Sequence, residues 1–184
     1  MLGPISMHDY QWASPPTPRG ASEVKLFIVH HSDGALTETV DQIHAQHLAQ
    51  GWIGIGYHVI IYPNGQAIEG RPLGCVPAAA EDANRDSVDV CLIGDFEPGT
   101  AGYSDSPTAA QLKALVDVAV FVHQQFPTIE RTIGHRDVEG LRQCGSPLVT
   151  DDGTGSVATA CPGQTLYDWL PTLRQKVADA LAPK

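Results

Sequence analysis

Apolar residues in this chain fall into short β-rich runs separated by helical stripes. The run EVKLFIVHH at 23–31 predicts a buried strand, and SVDVCLIG at 87–94 predicts another central strand. The segment GYHVIIYPNGQAIEGR at 56–71 predicts a β-hairpin, because two short apolar stretches flank a PNG turn. TIGH at 132–135 predicts a short strand or a strand end.

Three other stretches repeat their apolar residues at helical spacing. The first is followed by Gly51, a residue type that is favoured just past a helix C-terminus. The second begins at Thr108 with Gln111 three residues later, which matches a capping box, and it stops at Pro127. The third follows a CPG motif, and Pro171 predicts a kink or a restart within it.

This alternation of strands and helices predicts an α/β fold in a single domain, with a central mixed β-sheet flanked by helices. A chain of 184 residues is about the size of one domain. Residues 1–22 contain four prolines and little periodicity, so we expect an extended N-terminal arm followed by a domain at 23–184. The segment 141–160 is polar, unpatterned and long for a connection in a compact domain.

Composition excludes several classes of partner. The net charge of −10 argues against nucleic acid, whose phosphates require clustered cations, and against adhesion to anionic polymers. No apolar run approaches the ~18 residues that a membrane span needs. The N-terminus lacks a basic start and a long apolar run, so it does not predict a secretory signal. Four cysteines without tight spacing favour free thiols or a thiolate ligand over a disulfide framework.

Three side chains suggest chemistry when they are considered together. His30 lies at the end of a predicted strand, His135 at the end of another, and Cys161 just before a predicted helix. Singly, each histidine is more often held by a structural hydrogen bond, and the cysteine is more often a small buried hydrophobe. Together they are the ligand types of a catalytic zinc site, which takes three protein ligands and keeps a fourth position open.

Five motifs occur in an order that resembles a known family: FIVHHSDG, GWIGIGYHVIIYPNGQAIEGRP, DVCLIGDFE, IGHRD and TACPG. Residues 24–181 resemble the type 2 N-acetylmuramoyl-L-alanine amidases, which include the peptidoglycan recognition proteins and amidase-type phage lysozymes. The resemblance implies a peptidoglycan-recognition-protein-like fold and a zinc-dependent hydrolase. It also implies peptidoglycan or muropeptide as the partner, with cleavage between N-acetylmuramic acid and L-alanine. We expect a monomer.

The resemblance also implies roles for individual residues. His30, His135 and Cys161 match the zinc ligands, and Tyr57 matches the family's catalytic tyrosine. Thr159 falls where family members carry a threonine or a lysine. Tyr57 and Thr159 are therefore the candidate donors to an oxyanion, although Tyr57 without the motif would be read as a half-buried strand tyrosine.

Two cysteines compete for the third ligand position. RTIGHRDVEGLRQCGSP at 131–147 shows no obvious helix, and the short spacing from His135 favours Cys144. The context favours Cys161, which has Thr159 two places before it, Pro-Gly after it and an apolar helix beyond. We prefer Cys161, which makes 141–160 a loop insertion relative to the family and Cys144 a loop thiol.

Gly51, Trp52 and Arg71 match positions that, in recognition proteins of this family, accompany a preference for diaminopimelate over lysine in the stem peptide. A guanidinium can bind the additional carboxylate of diaminopimelate bidentately. The alternative is that Trp52 packs and Arg71 pairs with Glu69, and the sequence leaves both open.

Two other functions remain as alternatives. One is a peptidoglycan-binding module without catalysis, and the other is a cell-wall peptidase that uses Cys144 or Cys161 with His135. For the amidase, we expect either release from a host cytoplasm to the wall, as for a phage endolysin, or an extracellular or periplasmic location if a signal was removed.

Overall fold

A computed structural model describes residues 3–104, 106–149 and 158–183, and a six-stranded sheet forms their centre. The strands run in the spatial order β1-β4-β3-β5-β2-β6. Every neighbouring pair is parallel except β3 and β4, which form the predicted antiparallel hairpin, so the sheet is mixed as expected. The strands are β1 (Ile5–Ser6), β2 (Leu26–His31), β3 (Val59–Ile61), β4 (Ala67–Glu69), β5 (Ser87–Leu92) and β6 (Arg131–Gly134).

The described residues form five α-helices. The first two, α1 and α2, carry capping boxes. Thr108 and Gln111 cap α2 reciprocally, as the sequence predicted, and Thr39 with Gln42 does the same for α1. Pro171 lies in the first turn of α5, where a missing amide hydrogen bond has no cost, so the last helical segment restarts there. The helices are α1 (Val40–Ala49), α2 (Ala109–Gln125), α3 (Asp137–Gln143), α4 (Gln164–Tyr167) and α5 (Leu170–Leu181).

The expectation that 131–147 contains no helix is wrong, because α3 lies within it. This helix has seven residues and buries only Val138 and Leu141, one turn apart. A stripe of two apolar positions interrupted by Gly140 is too short to produce a recognisable period. Within the predicted insertion 141–160, residues 150–157 lie outside the described part of the chain.

Both faces of the sheet are covered, because successive side chains of a strand point to opposite faces. Phe27 and Val29 of β2 belong to the apolar cluster that includes residues of α2 and α5. Leu26 and Ile28 of the same strand belong to a second cluster with Val138 of α3. His30 follows Leu26 and Ile28 on the α3 side of the sheet, which is therefore the side where a site built on His30 must lie.

The predicted arm contributes to the sheet and its surroundings. Ile5 is fully buried, and β1 pairs in parallel with β4 at one edge of the sheet. Further along, Tyr10 stacks on His44 of α1 and Trp12 meets the same ring edge-on. No helix in the described residues combines the length and apolar character needed to cross a bilayer.

Candidate active site

The sheet brings His30, His135 and Cys161 together. Their coordinating atoms all lie within 4.8 Å of one another, although the residues come from three distant parts of the chain. His30 Nδ1 lies 3.7 Å from Cys161 Sγ, and the ring centroids of His30 and His135 are 4.7 Å apart. The three side chains that the sequence grouped as zinc ligands thus converge in space.

Strand pairing explains this convergence. Strand β2 lies between β5 and β6, is parallel to both, and places Val29 opposite Gly134. His30 is next along β2 and His135 is next along the chain after β6, so both project from the carboxyl edge of the sheet. The carboxyl edge of parallel strands is the usual location of α/β ligand sites.

A buried carboxylate orients the ring of His30. His30 Nε2 donates to Asp89 Oδ1 at 2.7 Å, and both side chains are almost inaccessible, with exposed fractions of 1% and 0%. With Nε2 as the donor of this bond, Nδ1 is the nitrogen that faces Cys161, and it has a free lone pair whenever the ring is neutral. Sequence reasoning missed Asp89. A charged residue inside the apolar run SVDVCL was the available signal, since buried charges are rare without partners.

The two ligand-type histidines titrate in opposite directions. Burial disfavours the charged form of His30, but the adjacent Cys161 and Asp89 outweigh burial and raise its pKa to about 9. Burial, with the nearby His30 as a second cause, lowers the pKa of His135 to about 3. The cluster therefore holds one positive charge next to a neutral imidazole. A divalent cation replaces such a proton when it binds.

Arg136 ties the GHRD segment to the CPG segment. Its backbone N–H donates to the Cys161 carbonyl at 2.9 Å. Its guanidinium donates to the Ala160 carbonyl and, at 2.8 Å, to Gln164 Oε1. These bonds hold the loop that carries Cys161 against the residue that follows His135.

The start of α3 is fixed in the same region. Asp137 accepts the backbone N–H of Gly134 at 2.9 Å and the hydroxyl of Tyr167 at 2.7 Å. The Arg136 guanidinium lies 4.5 Å above the centre of the Tyr167 ring. His135, between Gly134 and Arg136, is thus held from both sides.

Cys144 lies apart from this cluster. It occupies the position after the last residue of α3, is exposed, and has its sulfur 3.2 Å from the Leu141 carbonyl. The metal-capable group that contains His30 and His135 includes Cys161, and neither metal-capable group among the described residues includes Cys144. The structure therefore places Cys161, which motif context favoured, beside the histidines, and not Cys144, which spacing from His135 favoured.

Tyr57 lies beside the ligand cluster. Its ring centroid is 5.3 Å from that of His30 and 5.6 Å from that of His47. Burial raises the pKa of Tyr57 well above its ordinary value, so the phenol keeps its proton. The nearby thiol of Cys91, a buried neighbour of His30 across the sheet that sequence reasoning did not single out, adds to this rise in the pKa of Tyr57.

Thr159 lies two residues before Cys161 on the same loop. Its hydroxyl oxygen accepts the backbone N–H of Cys161 at 3.1 Å. This bond occupies one lone pair of the oxygen and leaves the O–H free to donate elsewhere.

Gly51 and Trp52 end helix α1. Gly51 has a φ of 85°, which suits glycine, and its N–H donates to the Leu48 carbonyl. Trp52 is 39% exposed, and its ring centroid lies 4.5 Å from that of His47. The partly exposed ring of Trp52 thus contacts His47, which in turn contacts Tyr57.

Arg71 is buried, with 4% of its surface exposed, and one of its donors has no partner among the described residues. Nε donates to the Ile55 carbonyl at 3.1 Å and Nη1 to the Val76 carbonyl at 2.9 Å, whereas Nη2 is buried without a hydrogen bond. The ring of Trp12 lies 5.9 Å from the guanidinium carbon. In the described part of the chain, no ion pair joins Arg71 to Glu69, which was the structural alternative for this arginine.

The donor set suits zinc. Two imidazoles and one thiol are the borderline-soft ligands that zinc prefers, and oxygen-seeking cations such as Mg²⁺ do not favour them. A second group, His31, Asp33 and Asp95, also comes within metal-binding distance. In this group, however, His31 Nδ1 already accepts the Phe96 N–H at 3.2 Å. We therefore interpret its hydrogen bonds as holding the loop after β5 and not as a metal site.

Comparison with known proteins gives the family. The family model described as N-acetylmuramoyl-L-alanine amidase, Amidase_2, matches residues 20–164. The chain belongs to this family. A peptidoglycan-recognition protein of Drosophila simulans is 27% identical over 164 residues, which cover 85% of this chain and 78% of that protein. The endolysin of Enterobacteria phage K11 is 28% identical over 154 residues, covering 82% and 87%.

Solved structures of this family share the fold. The endolysin N-acetylmuramoyl-L-alanine amidase LysCS of Clostridium intestinale URNW superposes with a TM-score of 0.72 at 22% identity, covering 98% of this chain and 96% of that chain. Peptidoglycan recognition protein-LE superposes with a TM-score of 0.69 at 22% identity, covering 89% and 87%. The predicted α/β fold of the peptidoglycan recognition proteins is thereby confirmed.

Removal of one ligand is expected to abolish zinc retention. We expect His30→Ala and Cys161→Ser to lose bound zinc, because two remaining ligands cannot hold the ion tightly, and we expect Cys144→Ser to retain about one zinc per chain. Elemental analysis of the dialysed proteins measures this. A full complement of zinc in Cys161→Ser, or its loss in Cys144→Ser, contradicts the assignment of the third ligand.

Proposed function

We propose that this chain is a zinc-dependent hydrolase of the amide bond between N-acetylmuramic acid and the L-alanine of peptidoglycan stem peptides. The observation that carries the proposal is the convergence of His30, His135 and Cys161 within 4.8 Å at the carboxyl edge of the sheet. Membership of the amidase family supports it, because the family model spans all of these residues.

His30, His135 and Cys161 are the residues that would hold the zinc ion. Bound there, zinc would supply Lewis-acid polarisation of the scissile carbonyl and would acidify water toward neutral pH. The protein contributes the orientation of its ligands. His135 is a neutral imidazole, and the hydrogen bond to Asp89 turns His30 Nδ1 toward the sulfur. Metal ligands need free lone pairs, so zinc binding would displace the Nδ1 proton that a pKa of about 9 leaves on His30 at neutral pH.

Tyr57 is the proposed donor to the oxyanion that develops on the scissile carbonyl. Its ring lies beside His30, and its raised pKa keeps the hydroxyl protonated through the neutral range. One hydrogen bond to an oxyanion in a site that excludes water contributes about 3 kcal/mol to transition-state stabilisation.

Thr159 is the proposed second donor. The Cys161 N–H holds its oxygen at 3.1 Å, which fixes the hydroxyl on the ligand loop while its proton remains available. Water attack on the carbonyl carbon then breaks the C–N bond. The products are the free lactyl carboxyl of the sugar and the free amino group of L-alanine.

Arg71 is the proposed recognition residue for the stem peptide, and Gly51 and Trp52 at the end of α1 are the two other proposed recognition positions. A buried guanidinium nitrogen without an acceptor is costly, and a substrate carboxylate would satisfy it. The additional carboxylate of diaminopimelate has this chemistry. Peptidoglycan recognition protein-LE, which shares the fold, was crystallised with tracheal cytotoxin, a monomeric diaminopimelic acid-type peptidoglycan.

The proposed place of action is the bacterial cell wall. Several relatives are phage endolysins, including that of phage K11. Others are peptidoglycan-recognition proteins, whose names state binding and not cleavage. A binding module without catalysis is therefore the first alternative, and the retained ligand trio and Tyr57 favour the hydrolase over it.

A cysteine-nucleophile peptidase is the second alternative, and one observation favours it. Cys161 Sγ, His30 Nδ1 and the Asp89 carboxylate stand in the order of a nucleophile, a base and an orienting acid, with separations of 3.7 and 2.7 Å. The base differs from the sequence-based alternative, which used His135. The second imidazole beside the sulfur favours the metal site, because a thiol peptidase does not require it.

Digestion of purified muropeptides with and without a chelator tests the proposal. We expect mass spectrometry to show release of intact stem peptides from the sugar, loss of activity with EDTA, and recovery on adding zinc. EDTA removes the Lewis acid, whereas iodoacetamide inactivates a thiol nucleophile. Activity that survives EDTA but not iodoacetamide indicates the peptidase, and muropeptide binding without any product indicates the binding module.

Replacement of Tyr57 by phenylalanine separates catalysis from metal binding. We expect Tyr57→Phe to retain zinc and to lose about 100- to 1,000-fold in kcat, because the hydroxyl acts only on the developing oxyanion. Steady-state hydrolysis of a soluble muropeptide and zinc analysis measure the two quantities. An unchanged kcat removes Tyr57 from the mechanism.

Replacement of Arg71 by lysine tests stem-peptide recognition. We expect Arg71→Lys to lower the ratio of kcat/KM for diaminopimelate-type over lysine-type muropeptides by about tenfold or more, since charge-assisted hydrogen bonds contribute about 1.5–3 kcal/mol. The ratio corrects for any general loss of stability. Equal losses on both substrates argue that Arg71 only supports the carbonyls of Ile55 and Val76.

A further inference from the structure

Asp89 is a fully buried carboxylate in the middle of strand β5, directly beside the candidate metal ligand His30. Its neighbours in the strand, Val88 and Val90, belong to the apolar cluster on the opposite face. A charge in such a place is costly unless it is paired and hydrogen-bonded, so its contacts show what it does.

We propose that Asp89 is the positioning residue of the metal site, which holds His30 in the tautomer and ring orientation that direct Nδ1 toward the metal. This inference rests on the proposed zinc-binding function. It concerns the first residue of the motif DVCLIGDFE, to which sequence reasoning assigned no role, and it assigns a specific task to a buried carboxylate in contact with a candidate ligand.

The geometry assigns donor and acceptor. An ionised carboxylate can only accept, so the 2.7 Å contact between Asp89 Oδ1 and His30 Nε2 places the proton on Nε2. The other ring nitrogen, Nδ1, is 3.7 Å from Cys161 Sγ. The same bond therefore stops Nε2 from acting as a ligand and leaves the lone pair on the nitrogen that faces the cluster.

Asp89 is itself held in place by two further contacts. Ser87, two residues earlier on the same face of β5, donates its hydroxyl to Asp89 Oδ2 at 2.5 Å. The backbone N–H of Asp89 donates to His58 Nδ1 at 3.0 Å, and His58 Nε2 reaches the Cys75 carbonyl at 3.0 Å. With both oxygens occupied, the carboxylate has one orientation, and that orientation fixes the plane of the His30 ring.

A carboxylate does more than an amide would at this position. It makes the donated hydrogen bond charge-assisted and increases the basicity of the coordinating nitrogen. An asparagine could still accept from His30 and donate to Ser87, but it would lack the charge. Outer contacts of this kind typically change metal affinity by about 10- to 100-fold.

The decisive measurement is the zinc affinity of Asp89→Asn and Asp89→Ala, determined by competition with a fluorescent chelator at neutral pH. We expect zinc binding about 10- to 100-fold weaker in Asp89→Asn, and weaker still in Asp89→Ala, which loses the acceptor as well as the charge. Affinity within about twofold of the natural protein in a folded Asp89→Asn variant overturns the inference, because it falls well short of that range.

Asp82→Asn is the matched control. Asp82 is 1% exposed and pairs with Arg142 at 3.3 Å, so it is also a buried carboxylate with a cationic partner, and it lies outside the ligand cluster. We expect this variant to lose stability without losing zinc affinity. Equal losses of affinity in both variants would mean that any buried charge defect weakens the site, and would overturn a specific role for Asp89.

A measurement on the unsubstituted protein covers the case in which Asp89 variants do not fold. Long-range ¹H–¹⁵N correlation spectra of the zinc-loaded protein report which nitrogen of His30 carries a proton. We expect protonated Nε2 and unprotonated Nδ1, and the reverse assignment overturns the inference. If the natural protein binds no zinc, the proposed function fails together with this inference; if it binds zinc and Asp89 has no effect, this inference alone fails.

Discussion

The site depends on one constraint, the parallel pairing of β2 with β5 on one side and β6 on the other. This pairing brings the carboxyl ends of three strands to one edge of the sheet, so that His30, Cys91 and His135 lie close together. A shift of one residue in the register of β2 would turn His30 to the face covered by α2 and α5. Burial of apolar side chains on both faces makes such a shift costly, and the same burial therefore maintains the site.

The buried setting has electrostatic consequences. In a low-dielectric region, two imidazoles and a carboxylate cannot ionise independently, and the outcome is one histidine with a raised pKa beside one with a lowered pKa. Asp89 helps to decide which ring carries the charge, because it contacts His30 directly. A cation that binds here has to displace the His30 proton. The same contacts also produce the thiol–imidazole–carboxylate order that makes a peptidase the second alternative.

The surroundings of the site extend its chemistry toward a substrate. Tyr57 and Thr159 offer hydroxyl protons near the ligands, and Arg71 offers a guanidinium nitrogen that lacks an acceptor within the described residues. The N-terminal arm contributes as well, because Trp12 lies over the Arg71 guanidinium and Tyr10 stacks on α1. The described residues thus contain groups suited to recognition as well as groups suited to reaction.

Local signals in the sequence predicted strands β2 to β6, the capped helix α2, the hairpin at PNG and the candidate ligand residues, because hydrophobic period, turn residues and motifs are properties of neighbouring residues. Helix α3 was not predicted, because its two buried residues are too few to show a helical period. Tertiary structure alone shows that Cys161 lies beside the two histidines, which contacts Asp89 makes, and that one Arg71 nitrogen has no partner among the described residues. Each depends on a distance between residues far apart in the chain, and sequence spacing carries no measure of that distance.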